Sequence, residues 1–230
     1  IVPPIFQTGR STYFGDVSSH LAQLVVRRLG IKARSEKPGI LARAAGGRGM
    51  VGGQVLDMAG EGRALGLTEV EELQRLKTGA LIRAAVEMGC AVAGGAEEQR
   101  EALCRYADCL GLAFQIQDDI LDYTPSAHTG KPANNDLREG KITLPLLSVL
   151  DRASDSRRRE LLERLSRCHE SDEEVEYLRS TVENEGGLSF AAEVMQGYIA
   201  RAVEMLSDYP DSEYRSALVN LCAYIAERDR

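Results

Sequence analysis

The stretch from Ala96 to Asp122, AEEQREALCRYADCLGLAFQIQDDILD, decides the fold. Its apolar positions Leu103, Tyr106, Ala107, Leu110, Phe114, Ile116 and Ile120 recur at helical spacing, and no proline interrupts it. The reading is a single long helix. Working outward, the chain has only seven prolines, none of them between residues 39 and 124 or between residues 146 and 209. Proline inside a helix costs about 3 kcal/mol, so two such runs predict long helices on both sides of a proline-containing loop. The expectation is a single all-α domain, a bundle of long helices, over residues 1–230.

The same pattern extends along the chain. A helix is expected over Val17–Leu29, followed by a basic loop from Lys32 to Gly39. A second helix starts near Ile40 and runs through the glycine-rich Gly46-Gly47 and Gly49-Met50-Val51-Gly52-Gly53-Gln54. Each glycine there costs up to about 1 kcal/mol of helix stability, which is repaid if another helix or a ligand approaches the backbone closely. Thr68 with Glu71 reads as a capping box opening a helix that passes through Lys77-Thr78-Gly79 towards Val92. Beyond Asp122 lies a polar loop, Thr124 to Gly140, and then helices from Leu144, from about Asp155, from Asp172, from about Leu188 and from Asp211.

Composition narrows the function. Hydrophobic residues make up 43% and charged residues 27%, which excludes a disordered or collagen-like chain. Lys+Arg is 28 against Asp+Glu 35, a net charge of −7. That argues against a nucleic-acid binder, which needs a clustered basic surface, and is compatible with gathering divalent cations. The five cysteines, Cys90, Cys104, Cys109, Cys168 and Cys222, are odd in number and contain no Cys-x-x-Cys pair. They read as buried reduced thiols, consistent with a cytoplasmic protein. The N-terminal residues do not form a signal peptide. The least polar stretch, Gly79–Ala96, carries Arg83 and Glu87 and is too short to span a bilayer.

Three carboxylates stand together at the end of the long helix. At 100° per residue Asp118 and Asp122 lie on one face with Asp119 beside them, at the helix end whose dipole disfavours negative charge. Either this is a solvated acidic helix end, or a hard cation such as Mg²⁺ relieves the repulsion. Lys77 upstream and Lys131 and Lys141 downstream could each be exposed surface lysines. Together they bracket the carboxylates as a polyphosphate site would, with ammonium groups on one side and metal on the other. Gln54 and Asp57 could add a polar rung or form a buried interhelical hydrogen bond. Other patterns fall away. Gly47-Arg48-Gly49-Met50-Val51-Gly52 has dinucleotide-binding spacing but follows a helix-like segment, and His20, His128 and His169 lack zinc-like spacing.

These blocks, Gly49 to Gln54 with Asp57, Lys77 to Ile82, Gly111 to Asp122, Gly130-Lys131-Pro132, Asp136-Leu137 and Gly140 to Pro145, resemble the trans-prenyl diphosphate synthases in order and spacing. The resemblance implies an all-α fold around a central cavity, a homodimer, and the Mg²⁺-dependent condensation of an allylic diphosphate with isopentenyl diphosphate, releasing pyrophosphate and giving a C15–C20 product. Carried over, Asp118, Asp119 and Asp122 would hold Mg²⁺ on the allylic diphosphate, and Lys77, Lys131 and Lys141 would bind that diphosphate. Gln115 and Thr78, with the backbone around Lys77, would face the developing allylic cation. Phe114 would shape the isopentenyl site, and Gln54 would line the substrate pocket. The family's first aspartate-rich motif has no counterpart upstream of Gly46, where Asp16 is the only aspartate. Two expectations follow: a prenyltransferase whose N-terminal helices are missing from the sequence, or a non-catalytic subunit that binds a diphosphate or pairs with an active synthase.

Overall fold

The computed structural model describes residues 37–60, 66–124 and 133–228. The helix expected over Val17–Leu29 and the loop residue Lys131 lie outside them. Among the described residues there is no β-strand, and the architecture is an all-α bundle.

The described residues begin with α1 (Lys37–Ala45) and α2 (Met50–Gly60), followed by α3 (Leu67–Gln74). A π-helical turn, Arg75–Gly79, leads without interruption into α4 (Ala80–Ala93). Then come α5 (Glu97–Asp122), the one-turn α6 (Asn135–Arg138), α7 (Leu144–Arg152), α8 (Asp155–Leu165), α9 (Asp172–Asn184), α10 (Gly187–Glu204) and α11 (Glu213–Glu227). The starts expected from sequence for α5 and for α7 to α11 agree within a residue or two.

Two expectations near the N-terminal side need correction. The glycine-rich segment is two helices rather than one, broken by turns at 46–49 where Gly46, Gly47 and Gly49 fall within four residues. A helix interior carrying that much backbone entropy gives way to a turn. The cap before α3 is Gly66, whose N–H donates to Glu69 Oε2 at 2.9 Å. The expected Thr68–Glu71 pair starts two residues further in, and Glu71 instead accepts from the Tyr198 hydroxyl of α10 at 2.7 Å.

Elsewhere the ends follow ordinary chemistry. Ser154, Ser171 and Ser212 cap α8, α9 and α11 through side-chain oxygens that accept from Arg157, Glu174 and Arg215 N–H groups. Gly94 ends α4 at φ +69°, a left-handed conformation that suits glycine.

The long helix α5 is the axis of the bundle. It packs against α4, the π turn, α10 and α11, with α10 its most extensive neighbour. Tyr106, Ala107, Leu110, Ala113 and Ile116 bury its inner face against Ala191, Met195, Ile199 and Ala202 of α10. A second core lies beyond its end, where Leu137, Leu146, Leu150, Leu161, Leu178 and Val182 join α6 to α9. Each buried leucine or valine there contributes roughly 1.5–3 kcal/mol, so α6 rests through Leu137 on a solid platform. All five cysteines are buried and unpaired, as their spacing indicated.

Candidate active site

Three sequence blocks meet at the π turn. The first is α2, whose Gly53 faces the turn so closely that a Cβ there would lie 2.3 Å from the Lys77 nitrogen and 2.6 Å from its Cα. The second is α5, where a Cβ on Gly111 would lie 3.1 Å from the Gly79 Cα. The repayment for helical glycine is therefore close approach of another element at these two positions. A π turn widens the helix by one residue per turn, changes the direction of its side chains and is frequent at functional sites. Here it carries Lys77 and Thr78 between α2 and α5.

The polar groups at this junction are paired across elements. Lys77 Nζ donates to Asp57 Oδ2 of α2 at 2.6 Å, both side chains being largely buried. Of the two readings for Asp57, the interhelical contact is the one found, as an ion pair. Gln54, one turn earlier, has its Oε1 buried with no hydrogen-bond partner. Lys141 donates to Glu139. Burial alone would lower the Lys141 pKa, but the Glu139 hydrogen bond and the Asp57 and Asp136 charges outweigh it and hold the ammonium above its ordinary value. Asp57 thus faces both lysines, in direct contact with Lys77 and through its charge on Lys141.

The three carboxylates at the end of α5 go separate ways. Asp119 is buried and accepts from Gln74 Nε2 of α3 at 3.1 Å. Its pKa is pushed well above the usual carboxylate value, first by burial and then by the charges of Asp136 and Asp118, against the opposing Leu144 N–H and Gln74 bonds. Asp122 accepts from the Asp136 N–H at 2.9 Å and from Asn135 Nδ2 at 3.3 Å, so it caps α6 and ties the returning loop to α5. Asp118 is half-exposed and pairs with Arg228, just past α11. Among the described residues no three His, Cys, Asp or Glu side chains converge as a ready-made metal cluster.

Phe114 and Gln115 sit one turn inward on α5, partly buried, and Thr78 is likewise partly buried on the π turn. The donor set fits a hard divalent cation: oxygen ligands only, including a carboxylate whose burial beside like charges favours a positive partner. Sequence reasoning missed Gln74, Glu139 and Arg228. Gln74 and Glu139 flank residues already singled out, but Arg228 lies 110 residues from Asp118 and carries no local signal.

Residues 11–182 match the Polyprenyl synthetase family model, and the chain belongs to that family. It is similar to a short chain isoprenyl diphosphate synthase of Methanothermobacter thermautotrophicus, 37% identical over 182 residues, which are 77% of this chain and 54% of that protein. It is 44% identical over 139 residues to a putative chloroplastic geranylgeranyl pyrophosphate synthase 8 of Arabidopsis thaliana, covering 59% of this chain and 37% of that protein. The chain thus spans about half or less of the length of these curated relatives. The crystal structure of a polyprenyl synthase from Caulobacter crescentus CB15, complexed with calcium and isoprenyl diphosphate, superposes with a TM-score of 0.80 at 28% identity, covering 96% of this chain and 77% of that one.

Among the described residues no helix is long and apolar enough to cross a membrane.

Proposed function

We propose that this chain carries the diphosphate-binding part of a trans-prenyltransferase, which joins an allylic diphosphate to isopentenyl diphosphate and releases pyrophosphate. The observation that carries the proposal is the π turn at which the glycine-rich helix, the Lys77-Thr78 block and the aspartate block of α5 meet. In this reading the substrate's C–O bond breaks and its electron pair leaves with pyrophosphate. The isopentenyl double bond supplies the pair for the C–C bond at the allylic carbon, and the isopentenyl unit then loses a proton, taken up by the released pyrophosphate, to restore a double bond.

Lys77 leaves Asp57 to bind the departing diphosphate, and Lys141, with Lys131, completes the cationic side. Asp118, Asp119 and Asp122 would hold Mg²⁺, which when bound stabilises the charge building on the leaving group. Gln115 and Thr78, with the π turn's backbone, turn their dipoles towards the developing carbocation, where fixed dipoles are worth more than water. Phe114 bounds the isopentenyl site, and Gln54 contributes its unpaired buried oxygen to the pocket wall. Excluding water keeps the cation from hydrolytic capture.

In this reading residues 1–230 belong to one all-α domain, and the active form is a homodimer with a C15–C20 product. The geranylgeranyl and short-chain names of the relatives support that product range. Five buried free thiols support a reducing compartment such as the cytoplasm.

The test is prenyl elongation with labelled isopentenyl diphosphate, an allylic diphosphate and Mg²⁺. The expected result is turnover by the wild type and a loss of about 100-fold or more in Lys77→Met and Asp119→Asn, the scale on which single electrostatic groups act. Pyrophosphate binding without any elongation would overturn the catalytic reading in favour of a binding subunit.

A further inference from the structure

Just past α11, Arg228 reaches the acidic end of α5. Its guanidinium pairs with Asp118 Oδ1 and donates to the Phe114 carbonyl at 3.4 Å. It also lies over the Phe114 ring, 4.0 Å from the centroid. Its own carbonyl accepts from Gln117 Nε2 at 2.7 Å. Phe114, Gln117 and Asp118 stand at i, i+3 and i+4, one face of α5, so every one of these contacts falls on the same strip. The Arg228 side chain is only 10% exposed, and its Nε is buried without a hydrogen-bond partner. A seat that leaves a buried donor unsatisfied carries a standing cost. The Asp118 contact and the aromatic face hold the guanidinium there nonetheless.

We infer that Arg228 is a positioning residue that occupies the Asp118 carboxylate in place of a divalent cation and must release it before a cation binds there. The inference rests on the proposed metal role of Asp118. Its basis is electrostatic: a guanidinium in contact with an oxygen ligand repels an incoming dication and takes up the atom the dication needs. Binding of the cation and seating of Arg228 against α5 are then coupled with opposite sign, and coupling of this kind is reciprocal.

The test is calorimetric titration of the full chain with Mn²⁺ alone, no substrate present, for wild type, Arg228→Met, Arg228→Gln, Arg228→Lys and Asp118→Asn. The expected result is Mn²⁺ binding about fivefold or more tighter in Arg228→Met and Arg228→Gln. Arg228→Lys should stay near wild type, and Asp118→Asn should lose binding. Added Mn²⁺ should also speed hydrogen exchange in the last turn of α11 of the wild type. If Arg228 merely held the fold together, its loss would weaken binding. Unchanged or weaker Mn²⁺ affinity in both neutral variants, with binding still lost in Asp118→Asn, overturns the inference and leaves the metal reading standing. No Mn²⁺ binding by any form, or wild-type affinity in Asp118→Asn, overturns both.

Discussion

Gly53 has no room for a side chain, because a Cβ would meet the backbone of Lys77 and Leu76 rather than a movable side-chain end. Gly53→Ala is expected to cost about 1–3 kcal/mol by overpacking, which for a chain of this size is a fall of roughly 2–10 °C in Tm by calorimetry. It should also weaken pyrophosphate binding, because the atoms displaced are those that aim Lys77. Gly197 of α10 supplies the contrast: a Cβ there meets nothing within 4 Å. Gly197→Ala should leave Tm unchanged or raise it, gaining about 0.5–1 kcal/mol of helix propensity. Equal effects of the two substitutions would remove close approach as the reason for Gly53. The value of glycine at 53 was half legible: composition announced that something comes close, but only the folded chain shows that it is the π turn.

At the scale of elements, the π turn at Arg75–Gly79 does the positioning. It contains one residue more than a regular helix needs, so deleting the exposed Arg75 should restore a continuous α-helix while its flanks keep their faces. The expected outcome is unchanged helical circular dichroism together with loss of the Tm shift produced by pyrophosphate and Mg²⁺. A retained shift would mean that Lys77 and Thr78 do not need the bulge. Helical periodicity forecast a continuous helix from α3 through α4 and had no means of seeing the bulge, because a π turn is imposed by packing against Gly53 and Gly111 rather than by local propensity. The break at 46–49 was missed for a related reason. Three glycines fit either a tolerated helix or a turn, and tertiary packing chooses. The starts of α7, α8 and α9 were readable because Pro145, Ser154 and Ser171 act locally.

For the whole molecule, charge is organised as internal pairs. On α8 and α9, Arg164 holds Glu174 below its ordinary value of 4.5, Arg157 does the same for Glu160, and Arg179 for Glu176. Depressed folded-state values mean that these pairs stabilise above the unfolded pKa of 4.5 and that the contribution disappears as pH falls through the lower folded values. Tm should therefore begin to drop as the pH passes below 4.5, and Glu174→Gln should flatten that part of the profile. An unchanged profile in Glu174→Gln would show that screening by solvent leaves the network inert.

The site follows the same logic over longer range, Asp57 holding Lys77 and Arg228 holding Asp118. The motif aspartates and lysines were legible as a cluster of charge types at telling spacing. Their actual partners were not, since Gln74 to Asp119 spans 45 positions and Arg228 to Asp118 spans 110. Contacts at such separations leave no trace in periodicity.

The central claim is that the lysines around the π turn and the aspartates of α5 form one site for a diphosphate and a divalent cation. The most direct measurement is the Tm of the full chain with pyrophosphate and Mg²⁺ separately and together, in wild type, Lys77→Met and Asp118→Asn. At about 100 times the dissociation constant, a ligand bound only by the folded state contributes about 2.7 kcal/mol. The expected result is a Tm rise of several degrees in the wild type with both ligands present, little with either alone, and loss of the joint effect in each variant. A wild-type Tm indifferent to the pair, or a joint shift that survives in both Lys77→Met and Asp118→Asn, would contradict it.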